Sequence, residues 1–213
     1  MINNLLSIDT QIGKMYVRNN FDKNVIKEVV DDHEYERWGD IKICIGDTIV
    51  DCGAHIGSFT RLSSLMGANV IAIEPDGENF EILKKNTTDL VNLKLVNALL
   101  FNGRKVPFKK DKERGELNKV DVVGDVMDSI TLDELVDCFS IKSIDLLKMD
   151  IEGSEYEVLY NFNNIGIIKQ LSMEWHYGAT SMANLIIYLE RHGFKVVWSA
   201  GNGEWGKIQA KRI

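Results

Sequence analysis

The residues Val50-Asp51-Cys52-Gly53-Ala54-His55-Ile56-Gly57 lead an apolar run into an acid and then into a pair of glycines. Such a pattern is a strand turning into a helix, with glycine where the backbone turns tightly and lets a ligand touch the main chain. Glu74 ends the next apolar run, about twenty residues past Gly53, the spacing at which a carboxylate accepts hydrogen bonds from both hydroxyls of a ribose. Farther along, Asp150 closes an apolar run and is followed by Glu152 and Glu155, while Glu174 and His176 close another. Carboxylates and an imidazole at strand ends are suited to taking a proton from a reacting hydroxyl.

The glycine turn and the ribose carboxylate suit either a nicotinamide cofactor or S-adenosylmethionine, and charge separates the two. A dinucleotide lays its pyrophosphate on the turn, where Asp51 repels it; S-adenosylmethionine has no phosphate and offers an ammonium group. No Lys or Arg lies between Asp51 and Thr60 to assist a phosphate. S-adenosylmethionine is therefore the expected cofactor. An NAD(P)-dependent oxidoreductase is the alternative, and a cofactor-binding module without turnover is a third reading.

Asp150 is expected to face both cofactor and acceptor, with Glu152 acting beside it. Glu174 and His176 are the other catalytic candidates, His176 being the general base by titration range, since an unperturbed imidazole titrates near ~6.5. Glu155 sits where a helix opens and its charge favours the helix dipole. Asp150, Glu174 and His176 together offer oxygen and nitrogen ligands, but no metal-binding spacing accompanies them, and no metal is expected. His33, Tyr35 and His55 are placed to close over the cofactor from the N-terminal side.

Short apolar runs alternate with helical patterns from Thr48 onward, which argues for βα units feeding a parallel sheet. Strands are expected at Thr48 to Asp51, Val70 to Ile73, Leu93 to Leu100, Ile144 to Met149 and Leu171 to Glu174. Helices are expected at Ser58 to Met66, Glu78 to Leu90, Ser154 to Phe162 and Met182 to His192. Thr131 followed by Glu134 spells a capping box. Lys195 to Ser199 and Lys207 to Lys211 flank Gly201-Asn202-Gly203, so the chain finishes in an antiparallel hairpin. Arg104 to Lys119, charged and interrupted by Pro107 and Gly115, reads as a hairpin or excursion loop. Residues 1–46, with a helix expected from Asn24 to Tyr35, form a flank or lid on a core spanning 47–213, all in one domain.

Three blocks of this chain resemble the FkbM-type methyltransferases: Asp51 to Gly57, Thr131-Leu132-Asp133-Glu134-Leu135, and Ile144 to Glu155 with its Lys-x-Asp-x-Glu-Gly-x-Glu core. The resemblance runs from about Val29 to Trp175, and the third block is the most specific. One departure is His55, where the family more often carries Asn. The resemblance implies a class I methyltransferase fold: a Rossmann-like three-layer α/β sandwich on a mostly parallel seven-stranded sheet with an antiparallel C-terminal hairpin strand. It further implies S-adenosylmethionine as methyl donor and a hydroxyl oxygen of a small molecule, polyketide or sugar as acceptor. Carried over by position, Asp51, Gly53 and Gly57, with Ala54 and His55 on the same turn, line the methionine end. Glu74 takes the ribose, and Asn97 with Ala98 the adenine edge.

Composition narrows the partners. A formal charge of −7 and a pI near 5.2 weigh against nonspecific binding of nucleic acid, which depends on neutralising phosphates. No apolar run approaches the ~20 residues of a membrane helix, and the first residues lack a signal-peptide pattern, so a cytoplasmic location is expected. Cys44, Cys52 and Cys138 are odd in number and scattered, which supports neither a disulfide framework nor a metal site. Cys44 and Cys52 are expected to be small core residues.

Overall fold

The structure, a computed structural model, describes residues 5–38, 40–110, 119–120, 124–176 and 181–213. The N-terminal flank opens with a hairpin of β1 (Leu6–Thr10) and β2 (Gly13–Val17), followed by α1 (Asn20–Ile26). Asn19 caps α1 by accepting from the amides of Phe21 and Asp22, and the helix widens into a π turn over Lys27–Asp31. The expected helix from Asn24 to Tyr35 therefore starts earlier and stops sooner.

The sheet begins with β3 (Thr48–Cys52), α2 (Ser58–Leu65), β4 (Asn69–Ile73), α3 (Gly77–Asn86) and β5 (Leu93–Val96). The strand expected over Leu93 to Leu100 is broken at Asn97, whose side-chain amide donates to the Glu74 and Pro75 carbonyls. Beyond that break, β6 (Leu99–Leu100) leaves the main sheet and joins β7 (Lys105–Lys109), β8 (Lys119–Val120) and β9 (Asp125–Ile130) in a small sheet of order β6-β9-β7-β8. The expected excursion thus contains paired strands; its residues 111–118 lie outside the described ones. Next come α4 (Leu132–Cys138), β10 (Leu146–Met149), α5 (Glu155–Tyr160), β11 (Gln170–His176), α6 (Met182–Arg191), β12 (Phe194–Gly201) and β13 (Trp205–Arg212). Thr131 and Glu134 form the capping box of α4.

The main sheet has the order β12-β13-β11-β10-β3-β4-β5. Pairing is parallel from β11 through β5, and β13 runs antiparallel between β11 and β12. Alternate residues of each strand feed opposite cores, as the period of two in a strand requires. Val50, Cys52, Leu147 and Met149 pack with α4, α5 and α6 on one face. Ile49, Val70 and Leu146 pack with α2 and the N-terminal flank on the other. Strands covered on both faces read as continuous apolar runs, which is why they were legible. Cys52 is buried, whereas Cys44 and Cys138 are exposed, contrary to the core position expected for Cys44. Its amide donates to the Asp47 carboxylate in a surface turn instead.

Candidate active site

The carboxyl ends of β3, β4 and β10 surround a narrow cleft. Gly53, Glu74, Ala98, Phe108 and Ile151 are among the residues that line it. Gly53 has φ +78°, and a Cβ there would collide with the Asp150 carbonyl, so only glycine lets β3 and β10 close to this separation. Glu74 is buried, and burial pushes its carboxyl up to about 7. One of its oxygens accepts from the His55 amide at 2.9 Å; the other accepts from the Asp76 amide at 2.9 Å and the Asn79 side chain at 3.2 Å. These bonds fix the carboxylate against the turn.

His55 borders both this cleft and the larger chamber beside it. Its backbone is left-handed at φ +51°, and burial drives the imidazole down to about 4, so it is neutral. Arg18 Nη2 lies 3.1 Å from Nε2 and is itself paired with Asp22, so Nε2 is the accepting nitrogen. That leaves Nδ1–H as a buried donor with no partner among the described residues.

Three of the expected cofactor residues sit behind the cleft. Asp51 is fully buried, with one carboxylate oxygen 3.2 Å from Lys148 Nζ and the other accepting from the Thr60 hydroxyl at 2.6 Å. Lys148 is its direct cross-strand partner on β10, so register alone brings the two charges together. Gly57 caps α2 at φ +90°, and a Cβ there would lie 2.5 Å from Leu83 Cδ1, so it secures helix packing. Asn97 is spent on the Glu74 and Pro75 carbonyls.

The adjoining chamber, about 440 Å³, is bordered by Tyr35, Lys148, Asp150, Glu174, His176 and Trp205, among others. It meets the cleft at Gly53, His55, Asp150 and Glu152. Glu152 is left-handed at φ +55°, a strained backbone for a residue other than glycine. His176 Nε2 stands 3.3 Å from Glu152 and 3.5 Å from Glu174, and its Nδ1 stands 3.1 Å from Glu155. Glu155, buried, also accepts from the Ile151 and Gly153 amides. Burial alone would lower the imidazole, but the Glu155 hydrogen bond and the charges of Glu155, Glu152 and Asp150 prevail and hold it at about 10.

His176 is therefore an imidazolium at neutral pH and not the free base its ordinary titration range suggested. Burial, then the Asp150 charge, pushes Glu174 up to about 8. Lys207 pairs with Glu34 and lies 3.7 Å from Glu174. Tyr35 donates to Asp150 at 2.8 Å and packs edge-on against Phe59, while exposed His33 pairs with Glu36. Asp150, Glu152 and His176 present ligand atoms within 4.8 Å of one another.

Residues 51–196 match the methyltransferase FkbM domain. The chain belongs to the FkbM methyltransferase family. Its cofactor is accordingly S-adenosylmethionine, and the family match sets aside the dinucleotide alternative. A curated relative is the hexuronic acid methyltransferase AglP of Haloferax volcanii, 29% identical over 122 residues that cover 55% of this chain and 51% of the relative. The chain thus matches about half the length of that protein. Among solved structures, TYW2 of M. jannaschii in complex with AdoMet shares 13% identity at TM-score 0.52, covering all of this chain and 89% of that one. A SAM-dependent methyltransferase from Aquifex aeolicus shares 13% at TM-score 0.52, covering 91% and 97%. These likenesses show the class I fold.

The residues of the FkbM domain fit the cofactor. Apolar Ala98, Phe108 and Ile151 are walls of the kind a purine would need, the Glu74 carboxylate borders the same cleft, and the His55 Nδ1–H, without a partner among the described residues, suits a carboxylate. Sequence reasoning gave Lys148 no role, although it opens the core of the third block, and missed Arg18, Asp22, Lys207 and Trp205. Lys148 carried a signal, being the lone charge within an otherwise apolar strand. The others come from segments whose approach to the site is a tertiary fact.

Proposed function

We propose that the chain methylates a hydroxyl oxygen of a sugar or similar polyhydroxylated small molecule. The observation that carries this reading is the junction of a narrow cleft bordered by Glu74 with a roomier, carboxylate-lined chamber at Gly53, His55, Asp150 and Glu152. The name of the Haloferax volcanii relative, a hexuronic acid methyltransferase, favours a sugar acceptor.

S-adenosylmethionine, when bound, would supply an electrophilic methyl group on a sulfonium sulfur that can leave as a neutral thioether. Glu74 would hold its ribose hydroxyls and the His55 Nδ1–H its methionine carboxylate. Glu174, raised towards neutrality, receives the hydroxyl proton, and the His176 imidazolium, locked by Glu155, donates to the acceptor and orients it. Asp150, held by Tyr35, fixes the acceptor at the junction. Alignment supplies most of the acceleration, up to ~7–11 kcal/mol, and the base adds about 10²–10⁴-fold.

The test uses isotopically labelled S-adenosylmethionine and a panel of free glycosides and uronides. Label should enter a product that survives mild alkali, as a methyl ether does. Label released by alkali as methanol would mean a carboxylate ester and would overturn hydroxyl methylation.

A further inference from the structure

Three of the four tryptophans gather at one place on the surface beside the chamber. Trp38 and Trp198 stack with centroids 5.5 Å apart and planes 14° from parallel. Together with Trp205, Ala200, Gly201 and Lys207 they line a groove of about 350 Å³. Trp38 is 40% exposed and Trp205 44%. Large indoles left in water at one spot mark a binding surface, since each removes about 150–250 Å² of apolar area when covered.

The register of β11, β13 and β12 ties this groove to the chamber. His176 lies directly opposite Trp205, and Glu174 opposite Lys207. Lys207 lies in turn opposite Ala200, and Gly201 opposite Gly206. One face of the sheet thus carries Glu174 and His176, then Trp205 and Lys207, then the groove floor. Two inter-strand steps of about 4.8 Å separate the proton-handling pair from that floor, roughly 10 Å in all. Trp205 borders both cavities.

We infer that the groove formed by Trp38, Trp198 and Trp205 is a carbohydrate subsite, which stacks a second sugar ring of an acceptor whose first ring lies in the chamber. The inference rests on the methyltransferase reading and extends it: the acceptor is a glycoside of two or more rings. A pyranose presents axial C–H bonds on its face and hydroxyls at its rim. An indole matches the face, while cations at the edge match the rim: Lys207 Nζ lies 5.5 Å from the Trp205 ring and Arg37 Cζ 4.7 Å from that of Trp38. Small Ala200, opposite Lys207, leaves the floor open to a flat ring. A protein partner is disfavoured by size, because a stable interface covers about 800 Å² per partner. Three indoles at about 150–250 Å² each fall short of that, and two already cover one another.

The test compares the wild-type chain with W38A/W205A on a printed glycan array and then measures the best-retained glycan by calorimetry, with S-adenosylhomocysteine titrated into both proteins. The expected result is retention of an oligosaccharide by the wild type. In the double variant its affinity should fall by about tenfold or more, while that for S-adenosylhomocysteine is unchanged. Trp205→Phe, which keeps an aromatic face, should recover part of the loss. Three results would overturn the subsite while leaving the methyltransferase intact. Normal S-adenosylhomocysteine binding could accompany no glycan retained above the double variant, or a monosaccharide bound as tightly as its disaccharide. Equal glycan affinity in the two proteins is the third. Failure of the wild type to bind S-adenosylhomocysteine would remove the underlying reading and the subsite with it.

Discussion

In the cofactor cleft, Glu74 bonds to His55, Asp76 and Asn79, none more than 19 positions away in the chain. In the chamber, Tyr35 meets Asp150 across 115 positions and Lys207 meets Glu34 and Glu174. The Glu74 side of the cleft is built from local turns held largely by backbone amides, and β10 closes the other side. The chamber is built from charges that only the finished sheet and its flank bring together. On the proposed function the difference divides labour: the local bonds serve the cofactor and the long-range ones the acceptor.

The division is most strongly tested at Glu174. Glu174→Gln removes the proton acceptor and should lower kcat by about 10²–10⁴-fold, with S-adenosylhomocysteine affinity unchanged by calorimetry. In the wild type, activity should rise with pH through about 8 as Glu174 ionises, then decline towards about 10 as the His176 imidazolium is lost. The rising limb should vanish in Glu174→Gln. A variant that loses cofactor affinity instead would merge the two regions.

The converse substitution is Glu74→Ala. Charge-assisted hydrogen bonds to the ribose are worth about 1.5–3 kcal/mol each, so Kd for S-adenosylhomocysteine should rise at least about tenfold, while kcat at saturating cofactor changes little. Unchanged affinity would reject Glu74 as the ribose ligand.

The smallest expected effect is that of chelation. Asp150, Glu152 and His176 stand close enough to share a cation, yet His176 already carries the positive charge among these carboxylates. Turnover in excess EDTA should equal that without it. A loss restored by magnesium would hand these residues to a metal ion and recast the chamber.

Legibility in the sequence follows the same division. The parallel strands were readable because burial on both faces leaves long apolar runs, and the capping box of α4 was readable because its two residues are three positions apart. The glycine turn and Glu74 could be paired from spacing alone. Asp51 was misjudged in context: the cation beside it, Lys148, lies 97 positions away in the chain but opposite it in the sheet. Likewise the base role inferred for His176 from its ordinary titration range ignored the three glutamates that fold around it. Asn97 was assigned to the adenine edge, but its amide is taken by the Glu74 and Pro75 carbonyls, which lie more than twenty positions back at the start of the preceding crossover.

Gln209, on the antiparallel strand β13, donates its side-chain amide to the Tyr35 carbonyl at 3.0 Å and to the Ser172 hydroxyl at 3.2 Å. Tyr35 precedes the first strand of the main sheet, whereas β13 follows β3, β4 and β10 in the chain and inserts between β11 and β12. Every strand that surrounds the nucleoside cleft is therefore made before the one that latches Tyr35, and the chamber wall is fastened only when β13 slides in.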